Sequence, residues 1–540
     1  MSWNLGDIIE GVESVVPPET DALIHGDRTI SWGELAKRSN NLVKHLQDMG
    51  LQPGDKIAFY LRNSTAYMES AVVCFKGRFV HTNINYRYTD DELLYILDNS
   101  DAAAVIFDDE FSARVADIRP RADKVRQWIK VCDDASREEP GVHNYEALAL
   151  SGDGAPLAIE RSPDDLLFIY TGGTTGMPKG VMWRQEDFFC GMGGGAVPAL
   201  GLAAPQNLAE HLAAIKPIIG TSRQLIGSPL MHGMGMISAI FTLLLGGTVI
   251  TLTKPNFDAK EAWAVVARDG ATAMSIVGDV FAKPLLRELQ ENHEQYELTS
   301  LVGMVSSGIM WSKEVKRGLL EYLPQAALTD GFSSSEAFGL AASVTTIDGE
   351  SEAATFAVGP GCKVFSEDLR EIQPGSDEPG MIARSGPIPQ GYYKDPEKSA
   401  KTFPVINGVR YTMPGDWCTV AEDGTLTLLG RGSVCINTGG EKVYPEEVEE
   451  VLKTHASVED ALAVGLPDPK WGQRIVGVVE LSSSAELDEQ ALKDHVRQSL
   501  AGYKAPKEVI AIDAMGRGPN GKADYAAITR YAESKSTGQA

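Results

Sequence analysis

The sequence predicts an α/β protein: a large N-terminal domain of parallel sheets flanked by helices, with a β-rich subdomain at its end, and a small α+β domain behind it. Three observations predict this. Short apolar runs alternate with segments of helical period, a glycine-dense polar loop directly follows one of those runs, and the pattern changes near residue 430. At 540 residues and 43% hydrophobic content, the chain is too long for one ordinary domain and rich enough for substantial cores.

Ser31-Trp32-Gly33-Glu34 has capping-box spacing, and Leu35, Leu42, Val43 and Leu46 recur at helical intervals up to Gly50. Pro53-Gly54-Asp55 then turns the chain into a strand from Lys56 to Leu61. A helix around Ala66 to Phe75, a strand near Phe79 to Thr82, a helix around Asp91 to Leu97 and a strand from Ala103 to Phe107 follow. Such alternation predicts a parallel sheet covered on both faces. Leu166 to Tyr170 is a further buried strand, and Thr248 to Ile250 and Leu301 to Val305 resume the pattern. The most apolar segment, Met236 to Thr253, is interrupted by Gly246-Gly247 and reads as a buried helix, a turn and a strand instead of a membrane span.

Gly424 to Gly430 reads as the end of the β-rich portion, and Arg431-Gly432-Ser433 as a linker. Beyond it come a helix from Pro445 to Leu452, strands at Ala461 to Val464 and Ile475 to Leu481, a helix from Glu489 to Leu500 and a strand from Val509 to Ile512. The expected division is therefore 1–430, a hinge at 431–433, and 434–540, the last a domain of about 110 residues. Ser534 to Ala540, small and polar, read as frayed.

Charge narrows the function. The formal net charge is −25, from 74 acids against 49 bases, and no lysine-arginine run stands out, which argues against a nucleic acid backbone or an anionic membrane surface as partner. Six cysteines without CxxC spacing fit neither a disulfide framework nor a zinc site. With no secretory signal in Met1 to Asp7, a reducing cytoplasm is the expected location.

The loop that organises the site is Tyr170-Thr171-Gly172-Gly173-Thr174-Thr175-Gly176-Met177-Pro178-Lys179-Gly180. Glycines let an anion approach the backbone amides, threonines add hydroxyl donors and Lys179 adds a cation, which together suit phosphate. A nucleoside triphosphatase loop of the GxxxxGK[ST] type is excluded by register, because Pro178 precedes Lys179 and Gly180 follows it. In open sheets of this kind ligands sit beyond the carboxyl ends of the strands, where this loop lies.

Five further stretches accompany it: Pro229-Leu230-Met231-His232-Gly233, Asp330-Gly331-Phe332-Ser333-Ser334-Ser335-Glu336, Tyr411-Thr412-Met413-Pro414-Gly415-Asp416, Gly430-Arg431 through Asn437-Thr438-Gly439-Gly440-Glu441-Lys442-Val443-Tyr444-Pro445, and Gly518-Pro519-Asn520-Gly521-Lys522. In this order, over essentially the whole chain, they resemble the adenylate-forming superfamily of acyl-CoA synthetases, luciferases and peptide-synthetase adenylation domains. Asn83-Ile84-Asn85-Tyr86-Arg87-Tyr88 and Val181-Met182-Trp183-Arg184 make the sequence look closest to bacterial ligases of fatty acids and steroid side-chain carboxylates.

The resemblance implies a mobile C-terminal domain and a two-step reaction. A carboxylate attacks the α-phosphate of ATP to give acyl-adenylate and pyrophosphate, and coenzyme A then displaces AMP. It assigns Thr171, Gly172, Gly173, Thr174, Thr175 and Lys179 to the phosphates, Ser307, Gly308 and Phe332 to the adenine side, Asp330 and Ser335 to the ATP site, Asp416 to the ribose hydroxyls and Arg431 to the ribose and phosphate side. Glu336, with Thr174, would hold magnesium (Mg2+), a hard ion that prefers oxygen. Lys522 would be the catalytic lysine of adenylation, and Ser433 falls at the family's pivot, where Asp or Lys is usual. Gly439 and Gly440 would line the pantetheine tunnel; Trp471 fits equally a place beside the CoA nucleotide or a purely structural one. His232 reads as a gate between the acyl site and the second-step channel, with a structural histidine as the alternative, and Gly233 replaces the aspartate of amino-acid-activating relatives.

Trp183 and Gly278 are the expected acyl-pocket walls. The small residues Gly191 to Ala196 read either as pocket volume or as a mobile loop. The expected substrate is a bulky hydrophobic acid. Two rivals stay open: an adenylating enzyme that delivers its acyl group to another acceptor, and a nucleotide-binding protein without catalysis. No nucleic acid or membrane span is expected, and a homodimer is left open.

Overall fold

The computed structural model describes residues 3–132, 134, 139–171, 177–195, 197–309, 311–349, 355–431, 436–438, 441–468, 471–483, 485–500, 502–518 and 521–536. The chain forms two compact units: Met1–Ala353 with Gly359–Gly361 and Arg384–Thr412, and Ala354–Val358 with Cys362–Ala383 and Met413–Ala540. The β-rich stretch between 413 and 430 thus groups with the C-terminal residues.

The first unit contains two sheets. One runs in the order Gly391–Tyr392, Lys179–Arg184, Leu166–Thr171, Val80–Asn83, Lys56–Tyr60, Ala102–Asp108, Gln127–Val131, His143–Asn144. From Leu166–Thr171 onward its strands are parallel, while Lys179–Arg184 and Gly391–Tyr392 add antiparallel neighbours at the other edge. Ile57, Ala58, Phe59 and Tyr60 are all buried, as a strand covered on both faces requires. The helix Thr65–Gly77 is buried along its whole length, begins where Ser64 accepts a hydrogen bond from the Tyr67 amide, and stops at Arg78 in the left-handed conformation.

The second sheet holds parallel strands Asp21–His25, Thr248–Thr251, Arg223–Ile226, Ala273–Ile276, Gly303–Ser307 and Ala327–Ser334, flanked by antiparallel Arg28–Ser31 and Ala337–Thr345. An aromatic cluster packs against these elements: Trp183 stacks on Phe338 at 4.2 Å between centroids, and Phe188 on Phe241 at 5.5 Å. Burying each such ring stabilises the unit by roughly 2–3 kcal/mol.

The second unit pairs antiparallel strands Asp416–Val420 and Leu426–Arg431 with one another, and sets a separate sheet of Glu441–Val443, Ile436–Thr438, Gly472–Leu481, Val458–Asp468 and, parallel to Gly472–Leu481, Glu508–Ile512. Helices Pro445–Lys453 and Glu489–Ser499 occupy the expected places. Among the helices that carry no expectation above are Leu5–Val15, capped by Asn4, and Tyr525–Lys535, capped by Asp524. The second of these includes Ser534 and Lys535, which composition had placed in a frayed end; residues 537–540 lie outside the described residues.

Candidate active site

In the first unit the glycine-dense loop connects two antiparallel strands, with Thr171 opposite Lys179 and Tyr170 opposite Gly180. A hairpin, not a strand-to-helix turn, therefore presents it. Gly180 is needed here because a Cβ would lie 2.8 Å from the Tyr170 ring. The Tyr170 hydroxyl donates to Asn99 Oδ1 at 2.7 Å. Gly172, Gly173, Thr174 and Thr175 lie outside the described residues.

Lys179 forms an ion pair with Asp395, the residue that caps helix Pro396–Thr402. Its hydrogen bond holds the Asp395 carboxyl below the usual carboxylate range. Beside it Tyr392, 7% exposed, donates its hydroxyl to Glu336 Oε1 at 2.7 Å. Glu336 lies in the turn between strands Ala327–Ser334 and Ala337–Thr345, where its amide donates to Ser334 Oγ at 3.3 Å. Trp183, fully buried, donates its indole N–H to the Ser335 carbonyl at 2.9 Å.

The carboxyl ends of the second sheet supply the neighbouring groups. Ser306 lies opposite Asp330 and Ser307 opposite Gly331, while Gly308, at φ 99°, turns the chain away. Asp330 is 5% exposed, with Lys316 Nζ 3.8 Å from its carboxylate. Phe332 is half-buried, opposite Ala341. Ser306 Oγ accepts from the amide of Gly278, the first residue of helix Gly278–Asn292. His232 is half-buried and precedes helix Gly233–Leu244, and a Cβ on Gly233 would lie 3.9 Å from Ser335 Oγ. His232-Gly233 and Ser335-Glu336 are therefore neighbours.

Asn83, 4% exposed, joins the two sheets. Its Nδ2 donates to the Tyr170 carbonyl at 2.9 Å and the Met231 carbonyl at 2.7 Å, and its Oδ1 accepts from the Tyr170 amide at 2.7 Å. One side chain thus ties the base of the phosphate loop to the segment carrying His232. Asn63 holds the same segment, accepting from the Leu230 amide at 2.7 Å and donating to the Ser228 carbonyl at 3.1 Å.

In the second unit Asp416, 6% exposed, lies opposite Arg431 across the hairpin. Gly430 has φ 107°, and a Cβ there would collide with Glu446 at 2.0 Å, so only glycine fits. Trp471 is 39% exposed, its amide donates to Asp468 Oδ1, and Lys507 Nζ lies 5.5 Å from its ring centroid. Lys522 is exposed, on a turn where the Gly518 amide donates to the Lys522 carbonyl at 2.9 Å. Ser433, Gly439 and Gly440 lie outside the described residues.

A model of the AMP-binding enzyme family matches residues 13–393, and one of the AMP-binding enzyme C-terminal domain matches 447–522. This chain belongs to the AMP-binding enzyme family. Among similar proteins of this family, a medium/long-chain-fatty-acid–CoA/3-oxocholest-4-en-26-oate–CoA ligase of Mycobacterium marinum is 39% identical over 97% of this chain and 96% of its own. The 3-oxocholest-4-en-26-oate–CoA ligase of Rhodococcus rhodochrous is also 39% identical, over 97% and 95%. A solved structure of ATP-bound MatB from Rhodopseudomonas palustris, 23% identical, superposes with a TM-score of 0.80 over 98% of this chain and 99% of its own, and shares the fold.

Within this AMP-binding enzyme, sequence reasoning quoted Asn83 without a role and passed over Asn63, Tyr392 and Asp395. Strand Val80–Asn83 reads Val-His-Thr-Asn, polar at three of its four positions, so nothing in the sequence set Asn83 apart from its neighbours. In the run Gly191 to Ala196, read above as pocket volume or a mobile loop, Gly193, Gly194 and Gly195 have positive φ of 70–79°, and a Cβ would press on Pro198, Pro205 and Phe189 respectively, so the backbone itself favours glycine there.

Proposed function

We propose that this enzyme is an ATP-dependent, AMP-forming acyl-CoA ligase for a bulky hydrophobic carboxylic acid, a steroid side-chain carboxylate or a medium- to long-chain fatty acid. The observation that carries this reading is near-full-length identity of 39% to ligases named for those acids. ATP and coenzyme A are its co-substrates. Small and apolar groups around Trp183, His232 and Gly278 form the acyl side, and the His232 imidazole stands between it and the thiol channel. Among the described residues no helix is long and apolar enough to cross a membrane. The scattered cysteines, without disulfide-framework spacing, support a cytoplasmic location.

In adenylation the acid's carboxylate oxygen attacks the α-phosphorus and the bond to pyrophosphate breaks. Positioning and charge stabilisation carry such transfers. The loop from Thr171 to Lys179 cradles phosphate oxygens, Ser307, Gly308 and Phe332 hold the adenine side, Asp330 and Ser335 belong to the same ATP site, Asp416 accepts from the ribose hydroxyls and Arg431 serves the ribose and phosphate side. Lys522 supplies the cation of this step. No group of three or more His, Cys, Asp or Glu side chains gathers as a metal site among the described residues. One carboxylate, Glu336, with neighbouring hydroxyls and Thr174, nonetheless fits Mg2+, which usually takes one or two protein carboxylates and binds substrate phosphates. The ion supplies neutralisation of triphosphate charge. For thioester formation, rotation about a hinge at 431–433, between domains 1–430 and 434–540, places Gly439, Gly440 and Trp471 against coenzyme A.

Pyrophosphate release across short, long and steroidal acids, with and without coenzyme A and with thioester detection, tests the reading. Turnover of long or steroidal acids with thioester product supports it. Preference for acetate or propionate, or acyl-adenylate without thioester, overturns the acid or the acceptor respectively.

A further inference from the structure

The turn that ends in Lys522 is held from outside as well as by its own backbone. Within it the Gly521 amide donates to the Gly518 carbonyl at 2.8 Å, and Gly521 has φ 67°. Arg517, just before the turn, donates from Nη1 to the Gly521 carbonyl at 3.2 Å. The same guanidinium grips Asp460, Nε on Oδ2 at 2.5 Å and Nη2 on Oδ1 at 2.9 Å. Both partners are largely buried, the Arg517 side chain 11% exposed and that of Asp460 20%.

Asp460 is part of a rigid element. It lies on strand Val458–Asp468, opposite Glu480 of strand Gly472–Leu481. Glu480 in turn accepts from the Met515 amide at 2.7 Å. The segment leading to Lys522 is therefore fastened to one β-hairpin twice, at Met515 and at Arg517. A bidentate, charge-assisted pair is the stronger of the two.

We propose that Arg517, clamped by Asp460, is a positioning residue for adenylation: it fixes the Gly521 carbonyl and with it the backbone from which the Lys522 side chain extends. This rests on the reading of Lys522 as the adenylation cation. A lysine has four rotatable carbons and a point charge, so its delivery depends on how well its base is held. Arg517 and Asp460 touch neither substrate nor reacting atoms in this scheme.

The test separates the half-reactions: carboxylate-dependent pyrophosphate release, and thioester formation from supplied acyl-adenylate and coenzyme A, both on the full chain. Asp460→Asn and Arg517→Lys each weaken the clamp. The double variant Asp460→Asn/Arg517→Gln removes it without leaving a buried unpaired charge, so it remains informative if a single variant unfolds. We expect adenylation to fall between about ten- and a hundredfold while thioester formation stays within about twofold and the melting temperature of the double variant is little changed. Lys522→Ala is the reference. If it loses adenylation selectively but the clamp variants lower both half-reactions alike, or neither, the proposal is overturned. If Lys522→Ala itself lowers both alike, the Lys522 reading fails first and takes the proposal with it.

Discussion

Replacing Tyr392 by Phe removes one atom and tests whether Glu336 works as assigned. The ring stays in its place beside Phe403, 5.8 Å between centroids, so packing is conserved. What is lost is the hydroxyl donation to Glu336 Oε1 at 2.7 Å. A hydrogen bond to a charged group contributes about 1.5–3 kcal/mol, and Glu336 is only half-buried, which selects the lower end, about 1.5 kcal/mol. At 1.4 kcal/mol per factor of ten, that is about tenfold. We expect it in the magnesium concentration needed for half-maximal pyrophosphate release, with most of the rate restored at saturating metal. Equilibrium dialysis of ATP with and without magnesium gives the same comparison without turnover. An unchanged magnesium requirement, in a variant of unchanged melting temperature, would refute the coupling of Tyr392 to Glu336, and a Glu336→Gln variant with normal metal dependence would remove the assignment itself.

Other perturbations follow from the same geometry. Asn83→Ala deletes three hydrogen bonds to Tyr170 and Met231, so urea unfolding is expected to show a loss of about 3 kcal/mol at about 1 kcal/mol each, with KM for ATP and for the acid rising together; a rise in one alone would deny that Asn83 serves both. Asp395→Asn frees Lys179 from a half-exposed ion pair worth at most about 1 kcal/mol, so ATP is expected to bind up to about fivefold more tightly in a titration, and weaker binding would make Asp395 a necessary orienter instead. Glu449, 3% exposed, has its carboxyl pushed up to about 7 by burial. The folded state then holds the extra proton, and its contribution to stability, present below the unfolded carboxyl range, is lost as pH rises through about 7. Glu449→Gln, which still accepts from the Ala463 amide and the Tyr525 hydroxyl, should flatten that decline in melting experiments between pH 5 and 8; an unaltered slope would assign it to other groups.

Much of the fold was legible because its signals are local. Ser31 and Pro445 mark helix starts within a turn of the helix they open, and the apolar run Ile57 to Tyr60 announces a doubly covered strand. The hairpin of Leu166–Thr171 and Lys179–Arg184 was not expected, since no strand was read after the loop, although parallel strands need a crossover of about a dozen residues or more and 172–178 is too short for one. Helices Leu5–Val15 and Tyr525–Lys535 were not legible although Asn4 and Asp524 are ordinary caps, because a lone Asn or Asp serves turns and loops as readily as helix starts.

By itself the sequence determined the class of chemistry: a glycine-threonine loop with a lysine, a carboxylate in a hydroxyl-rich turn and a lysine on a glycine turn near the end, all types suited to phosphate and charge transfer. Only the tertiary structure decided which partners hold those groups. Asn83 meets Met231 across 148 positions, Lys179 meets Asp395 across 216, and Asp460 meets Arg517 across 57. Such pairs leave no period in the sequence, since each depends on strand order and register that bring distant backbone within hydrogen-bond reach, and a single asparagine or arginine looks the same in sequence whether or not that reach exists.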